Sequence, residues 1–105
     1  MTEFELKLNE QCTRIWPDRT VKSATAQLLS EVDEMKDATD EINFVEEVID
    51  ILLSAADILI QQKISPEKAM QVKMDIVEMR VKRVAKGLPA KDRMMERIMI
   101  GELLK

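Results

Sequence analysis

Apolar and polar residues recur along this chain with the period of an α-helix, in five segments separated by helix-breaking residues. In the first segment, for example, Phe4, Leu8, Cys12 and Ile15 fall on one face. No run shows the strict alternation of a half-buried strand. The pattern therefore predicts five helices, over about residues 2–16, 20–38, 41–62, 66–86 and 90–104.

Capping and breaking residues set the limits of these helices. Pro17 ends the first helix, and Asp40 is a candidate N-cap for the third. Ser65 followed by Pro66 is typical of a helix start, and Gly87 stops that fourth helix. Only two Gly, three Pro and 3 % aromatic residues agree with helices throughout. We expect one all-α domain over residues 1–105, an antiparallel four-helix bundle-like core with a short extra C-terminal helix.

The third predicted helix is apolar on nearly every side. Between Val48 and Ile60 only Asp50, Ser54 and Asp57 interrupt the apolar run. A helix of this kind has to be buried all round, and a domain of this size buries only about 60–70 % of its unfolded surface. We therefore expect a second subunit to cover part of this helix, in a homodimer or homotetramer. The run is too short and too acidic for a membrane span.

Composition removes several classes of chemistry. The chain has no His, so it can form neither a Ser-His-Asp triad nor a Cys-His pair. Its single Cys, Cys12, excludes an internal disulfide and a cysteine zinc site, and it suits a reducing cytoplasm. The first residues do not read as a signal peptide. A net charge of −4 argues against nucleic acid or an anionic membrane as partner.

The charges are strongly segregated along the chain. Residues 31–50 hold nine acids and one base, whereas residues 73–97 hold eight bases and four acids. Carboxylates select hard cations such as Mg²⁺ or Mn²⁺, and Lys and Arg bind phosphate. The segregation therefore indicates a cation site and an anion site. A basic nucleic-acid adaptor is the competing interpretation, although the acidic window counts against it.

Two acid pairs at helical spacing refine the cation site. Glu31 and Glu34 lie three residues apart on the second helix, and Glu47 and Asp50 repeat that spacing on the third. The short turn between these helices predicts antiparallel neighbours, so all four carboxylates can converge on one groove. Such pairs are also common on solvated helix faces. Here Glu47 and Asp50 interrupt a helix that is otherwise apolar, which favours the metal site.

Around these acids the chain resembles the MazG-like, all-α nucleoside triphosphate pyrophosphohydrolases. That family carries ExxE, a spacer and ExxD on two antiparallel helices, and this chain reads Glu31-Val-Asp-Glu34, twelve residues, then Glu47-Val-Ile-Asp50. The block from Lys73 to Arg80 is similar to the branch that hydrolyses dCTP and related deoxynucleotides, and Trp16 fits that branch's first helix. The resemblance covers about residues 4–83.

The resemblance implies hydrolysis of a nucleoside triphosphate (NTP or dNTP) to the monophosphate and pyrophosphate, for house-cleaning or control of nucleotide pools. Its implied catalytic and metal-binding residues, with Mg²⁺ as cofactor and Mn²⁺ possible, are Glu31, Glu34, Glu47 and Asp50. The implied substrate-binding residues are Lys73, Arg80 and Trp16. The alternative function is a catalytically inactive oligomerisation or nucleotide-binding protein of the same fold.

Structural roles compete for several of these residues. Lys73 and Arg80 can also be surface cations paired with Asp75 and Glu78, and Trp16 can be a core or interface anchor. Among the other polar residues, we expect Asp57 to bond across a helix interface and Glu46 to be solvated. Cys12 and the methionines are expected in the core, and the methionine stripe includes Met70, Met74 and Met79.

Overall fold

Five α-helices and no strands make up the protein, which confirms the all-α prediction. The structure is a computed structural model that describes all 105 residues. The predicted helix limits agree with the observed ones to within about three residues. The helices are α1 (Glu3–Ile15), α2 (Val21–Lys36), α3 (Glu41–Gln61), α4 (Pro66–Ala85) and α5 (Arg93–Gly101), and a 3₁₀ turn (Glu102–Leu104) follows.

Side-chain caps explain where the helices begin. Asp40 accepts a hydrogen bond from the backbone N–H of Asn43 (2.7 Å), and Ser65 accepts one from that of Lys68 (3.3 Å), as the sequence predicts. The other three helices begin at Thr2, Thr20 and Asp92, whose side chains make the same kind of bond. These caps satisfy amide groups that a helix start otherwise leaves without partners.

The end of α4 is set by Gly87, as predicted. Its φ of 76° lies in the left-handed region, which residues with a Cβ adopt only with strain. The Gly87 N–H donates to the Val84 carbonyl and the Leu88 N–H to the Arg83 carbonyl, both at 3.0 Å. This pair of bonds is the Schellman arrangement that ends a helix.

The chain forms two compact units, Met1–Lys63 and Ile64–Lys105. In the first unit α2 packs along α3, and α1 also contacts α3. The predicted apolar stripe of α2 is half-buried at every position, namely Val21, Ala24, Leu28, Val32 and Met35.

Few side chains of the first unit are fully buried, and most of these are acidic. The buried apolar residues are Leu8 and Ile60, whereas the buried acids are Glu5, Glu31 and Asp57. A single chain does not bury α3 on every side, and the covering of this helix by a second subunit stays a prediction. Several large apolar side chains of α3 are exposed, including Ile42, Phe44, Val45, Ile49 and Leu52.

An ion pair between Arg19 and Asp57 ties the first unit together. Arg19 Nε donates to both carboxylate oxygens of Asp57 at 3.0 Å. The terminal nitrogens of Arg19 reach Thr13 Oγ1 (3.0 Å) and Asn9 Oδ1 (2.9 Å). The guanidinium thus joins α1, the loop before α2, and α3, which confirms the cross-helix hydrogen bond expected of Asp57.

The second unit has a small core and its own ion pair. Its buried apolar side chains are Ile64 and Ile76. Glu96 of α5 is also buried, and it accepts hydrogen bonds from Arg80 of α4. The prediction that the α4 methionines pack in a core is wrong for Met70 and Met74, which are exposed, while Met79 is half-buried.

No helix in the protein combines the length and the hydropathy that a bilayer crossing requires.

We predict that Arg19→Met lowers the free energy of unfolding by about 3–5 kcal/mol, because it leaves the Asp57 charge buried without its partner. The two side chains are only 12 % and 8 % exposed. Urea denaturation followed by circular dichroism measures the change. Arg14→Met is the control, because the exposed Arg14–Glu10 pair contributes less than about 1 kcal/mol. Equal effects of the two variants would refute the structural role of Arg19.

Candidate functional site

The two acid pairs lie on the helices α2 and α3, which pack against each other. The side chain of Glu34 lies near that of Glu47, and Glu31 accepts a hydrogen bond from Ser54. The earlier residue of α2, Glu31, thus contacts the later residue of α3, Ser54. The two helices therefore run in opposite directions. The prediction that α2 and α3 are antiparallel neighbours is confirmed.

Glu47 is the most unusual side chain of this region. Its Oε2 atom is buried and has no hydrogen-bond partner. Burial raises the pKa of the Glu47 carboxyl above its usual value, and the nearby carboxylate of Glu34 raises it further. The charges of Asp50 and Glu31 act in the same direction. A buried carboxylate oxygen without a donor is unfavourable, so this position favours a proton or a cation.

Glu31 is buried and already has two hydrogen-bond donors. Ser54 Oγ donates to its Oε2 (2.8 Å), and Gln27 Nε2 donates to its Oε1 (3.1 Å). These bonds fix the direction of the carboxylate at the α2–α3 contact. Asp50 is exposed and lines the same cavity as Glu31.

The four carboxylates are neighbours, but they do not converge as closely as the spacing predicts. No three acidic or cysteine side chains form a group that could hold a metal ion as they stand. Like charges repel, and Glu31 is held toward Ser54 instead. The donors suit Mg²⁺ in kind, since all are carboxylate oxygens. Of the four carboxylates, Glu47 and its neighbour Glu34 are the ones whose positions best suit a bound Mg²⁺.

A cavity of about 650 Å³ opens beside Glu31 and Asp50. Trp16 lines it and is half-exposed, at 54 %. Its wall combines apolar side chains such as Leu8, Ile15 and Leu53 with polar ones such as Arg19 and Ser54. A concave site of this size, lined by both apolar and polar side chains, has the form of a small-molecule site.

Lys73 and Arg80 both belong to α4, in the second unit. They line a cavity of about 550 Å³ there, which confirms that they share a face. Arg80 does not pair with Glu78. It donates from Nε to Glu96 Oε2 (3.2 Å) and from a terminal nitrogen to Oε1. This contact raises the pKa of Arg80 and lowers that of Glu96. The role of Lys73 and Arg80 as phosphate ligands stays a prediction.

Three side chains at the α2–α3 site were not singled out by sequence reasoning. Ser54 and Gln27 hold Glu31, and Arg19 lines the cavity while it binds Asp57. Only the Gln27–Glu31 spacing of four residues is a local helical signal. The other two contacts join residues 23 and 38 positions apart.

Glu46 and Cys12 lie near the site without belonging to its four carboxylates. Glu46 is exposed, as expected from its place on the helix next to Glu47. Cys12 is half-buried and lines the cavity. Burial raises the pKa of the Cys12 thiol, the charge of Asp57 raises it further, and Arg19 acts in the opposite direction. A thiol in these surroundings is a poor nucleophile.

Comparison with known proteins adds no relative. The chain matches no protein-family model, no curated protein and no solved structure. The interpretation of the site therefore rests on its own geometry and on the sequence pattern of its two acid pairs.

We predict that Glu47→Gln, without divalent cations, becomes more stable relative to the unsubstituted protein as the pH rises from about 4 toward 7. A carboxyl whose pKa is raised on folding stabilises the native state while protonated. That contribution is lost as the pH rises through the folded pKa, whereas glutamine does not titrate. Melting temperatures across this pH range give the difference.

The same measurement with Mg²⁺ tests the cation preference. Mg²⁺ should raise the melting temperature of the unsubstituted protein, because it binds only the folded site, and should raise that of Glu47→Gln much less. Glu46→Gln is the matched control, since it removes a neighbouring exposed carboxylate. An equal response of all three proteins to Mg²⁺ would contradict a metal site at Glu47.

Proposed function

We propose that this protein is a Mg²⁺-dependent nucleoside triphosphate pyrophosphohydrolase, which converts an NTP or dNTP and water into the monophosphate and pyrophosphate. The observation that carries the proposal is the Oε2 atom of Glu47, which is buried and has no hydrogen-bond partner. Its carboxylate neighbours are Glu34, Asp50 and Glu31. Repelling carboxylates around an unsatisfied buried oxygen are stabilised by a bound divalent cation. House-cleaning or control of nucleotide pools is the corresponding cellular role.

The metal-binding residues in this proposal are Glu31, Glu34, Glu47 and Asp50. Held by these residues, Mg²⁺ or Mn²⁺ would supply the positive charge that polarises phosphate oxygens and activates a water. The ligands have to approach each other by side-chain rotation, because the four carboxylates do not yet form a closed group. Ser54 and Gln27 orient Glu31, and such positioning bonds commonly affect metal affinity.

Proton transfer in this site falls to carboxylates. The chain has no His, so the proton released by the attacking water passes to one of the glutamates Glu31, Glu34 and Glu47. The base has to lie within hydrogen-bonding reach of the proton that it takes, and all three glutamates belong to the two acid pairs. The water oxygen then bonds to phosphorus while the phosphoanhydride bond breaks, and pyrophosphate leaves.

The cavity beside the acids is the proposed position of the nucleoside. Its volume of about 650 Å³ is in the range of small-molecule sites. Trp16 offers an exposed aromatic face to a base, and stacking of this kind contributes about 1–3 kcal/mol. Glu31 and Asp50 at the same cavity would then stand at its phosphate end.

The decisive assay measures pyrophosphate and orthophosphate separately with a panel of NTPs and dNTPs and Mg²⁺. We expect pyrophosphate release, and we expect Glu47→Gln and Asp50→Asn to reduce it by about 100-fold or more, since a catalytic metal contributes several kcal/mol. Glu46→Gln should retain full activity.

The outcomes of this assay separate the candidate functions. Release of orthophosphate alone would mean that a different bond is cleaved. No turnover with any nucleotide, together with saturable nucleotide binding, would favour the inactive nucleotide-binding protein. Neither turnover nor binding would leave only a helical oligomerisation protein.

The second part of the proposal is self-association as a homodimer or homotetramer. Ile42, Val45, Ile49 and Leu52 form an exposed apolar stripe along α3, here called the α3 stripe. Side chains of this kind, spaced three and four residues apart, lie on one face of a helix. A second subunit that covers the α3 stripe would remove it from water.

We predict a solution mass that is a multiple of 12.1 kDa, and a smaller mass for Ile49→Glu, which places a charge in the α3 stripe. Light scattering after gel filtration at micromolar concentration measures both. Glu46→Gln should keep the assembly intact. A particle of 12.1 kDa for the unsubstituted protein would refute self-association.

A further inference from the structure

A second exposed apolar stripe runs along α4, in the other compact unit. It consists of Met70, Met74, Val77, Val81 and Val84, here called the α4 stripe. Consecutive members are four, three, four and three residues apart, which is the heptad spacing of a coiled-coil seam. All five are exposed, by between 46 % and 69 %.

The α4 stripe is separate from the face that α4 uses inside its own unit. That inner face carries Ile76, which is fully buried, together with the half-buried Val72 and Met79. On a helix of 3.6 residues per turn, Ile76 points about 120° away from the centre of the stripe. A helix with two apolar faces needs two surfaces to cover them.

The charges beside the α4 stripe favour another α4 as its partner. Lys73 precedes the stripe residue Met74, and Glu78 follows the stripe residue Val77, so these charges occupy the two flanking positions of the heptad. Both side chains are exposed. In a parallel pair of identical helices, Lys73 of each chain faces Glu78 of the partner subunit, whereas an antiparallel pair brings like flanks together.

We infer that α4 pairs with the α4 of a second copy of this chain, in parallel and along the α4 stripe. The seam meets the requirement of a two-fold interface, in which one surface has to be complementary to itself. Its apolar spacing repeats along both helices, and its flanking charges attract across the pair. The inference does not depend on the proposed enzymatic activity.

The first test places a charge in the seam. Val81→Glu should halve the solution mass, from tetramer to dimer or from dimer to monomer, as measured by sedimentation equilibrium. Val81 is exposed in the single chain, so its helix content should not change. Lys82→Glu is the control, because its exposed side chain lies off the stripe. An unchanged mass for Val81→Glu would overturn the pairing, and so would a monomeric unsubstituted protein.

The second test reports the direction and register of the pair. In a Cys12→Ser background, Val77→Cys should form a disulfide-linked dimer on mild oxidation, because equivalent seam residues face each other in a parallel pair. Asp75→Cys, whose side chain is exposed off the stripe, should not. Equal cross-linking of both variants would mean random collision and overturn the proposal.

The third test uses charge reversal. Glu78→Lys should raise the dissociation constant several-fold, because it faces Lys73 of the partner subunit. The double variant Glu78→Lys with Lys73→Glu should restore it. Without such rescue, the parallel arrangement would be wrong. Failure at the α3 stripe remains distinguishable, because Ile49→Glu acts on a different helix.

Discussion

The buried ion pair between Arg19 and Asp57 is the contact on which the first unit depends. Arg19 lies in the loop between α1 and α2, and its guanidinium bonds side chains of both α1 and α3. Four apolar and four acidic side chains are buried in the whole protein, so polar contacts carry an unusual share of its organisation. Buried pairs of this kind add little net stability, but they specify one arrangement of helices, because any other leaves a charge without a partner.

The α2–α3 contact then places mutually repelling carboxylates where burial raises the pKa of one of them. Glu31 is satisfied by Ser54 and Gln27, whereas Glu47 keeps an oxygen without a donor. The repulsion among these carboxylates lowers stability, whereas the proposed cation site requires them. A helix pair chosen only for stability would carry neutral side chains here, and retention of the acids is understandable if a cation is their usual partner.

Local features of the fold were predictable, and contacts between distant residues were not. The caps at Asp40 and Ser65 and the stop at Gly87 involve neighbours in the chain, so residue identity determines them. The partner of Arg80 is Glu96 on another helix, which no spacing rule reveals. Helical periodicity places Met70 and Met74 on one face of α4 and Met79 on the opposite one. It cannot tell whether an apolar face meets the same chain or another one, and so the expected core position of Met70 was wrong.

The C-terminal helix α5 is attached mainly through one buried carboxylate. Its only buried residue is Glu96, which is held by Arg80 and by the backbone N–H of Asp92. No apolar side chain of α5 is buried with it. This C-terminal helix is thus fastened by charge rather than by exclusion of water. Because ions screen charges while strengthening or sparing apolar contacts, the ionic strength of the surroundings, more than temperature, would determine how firmly the last helix stays in place.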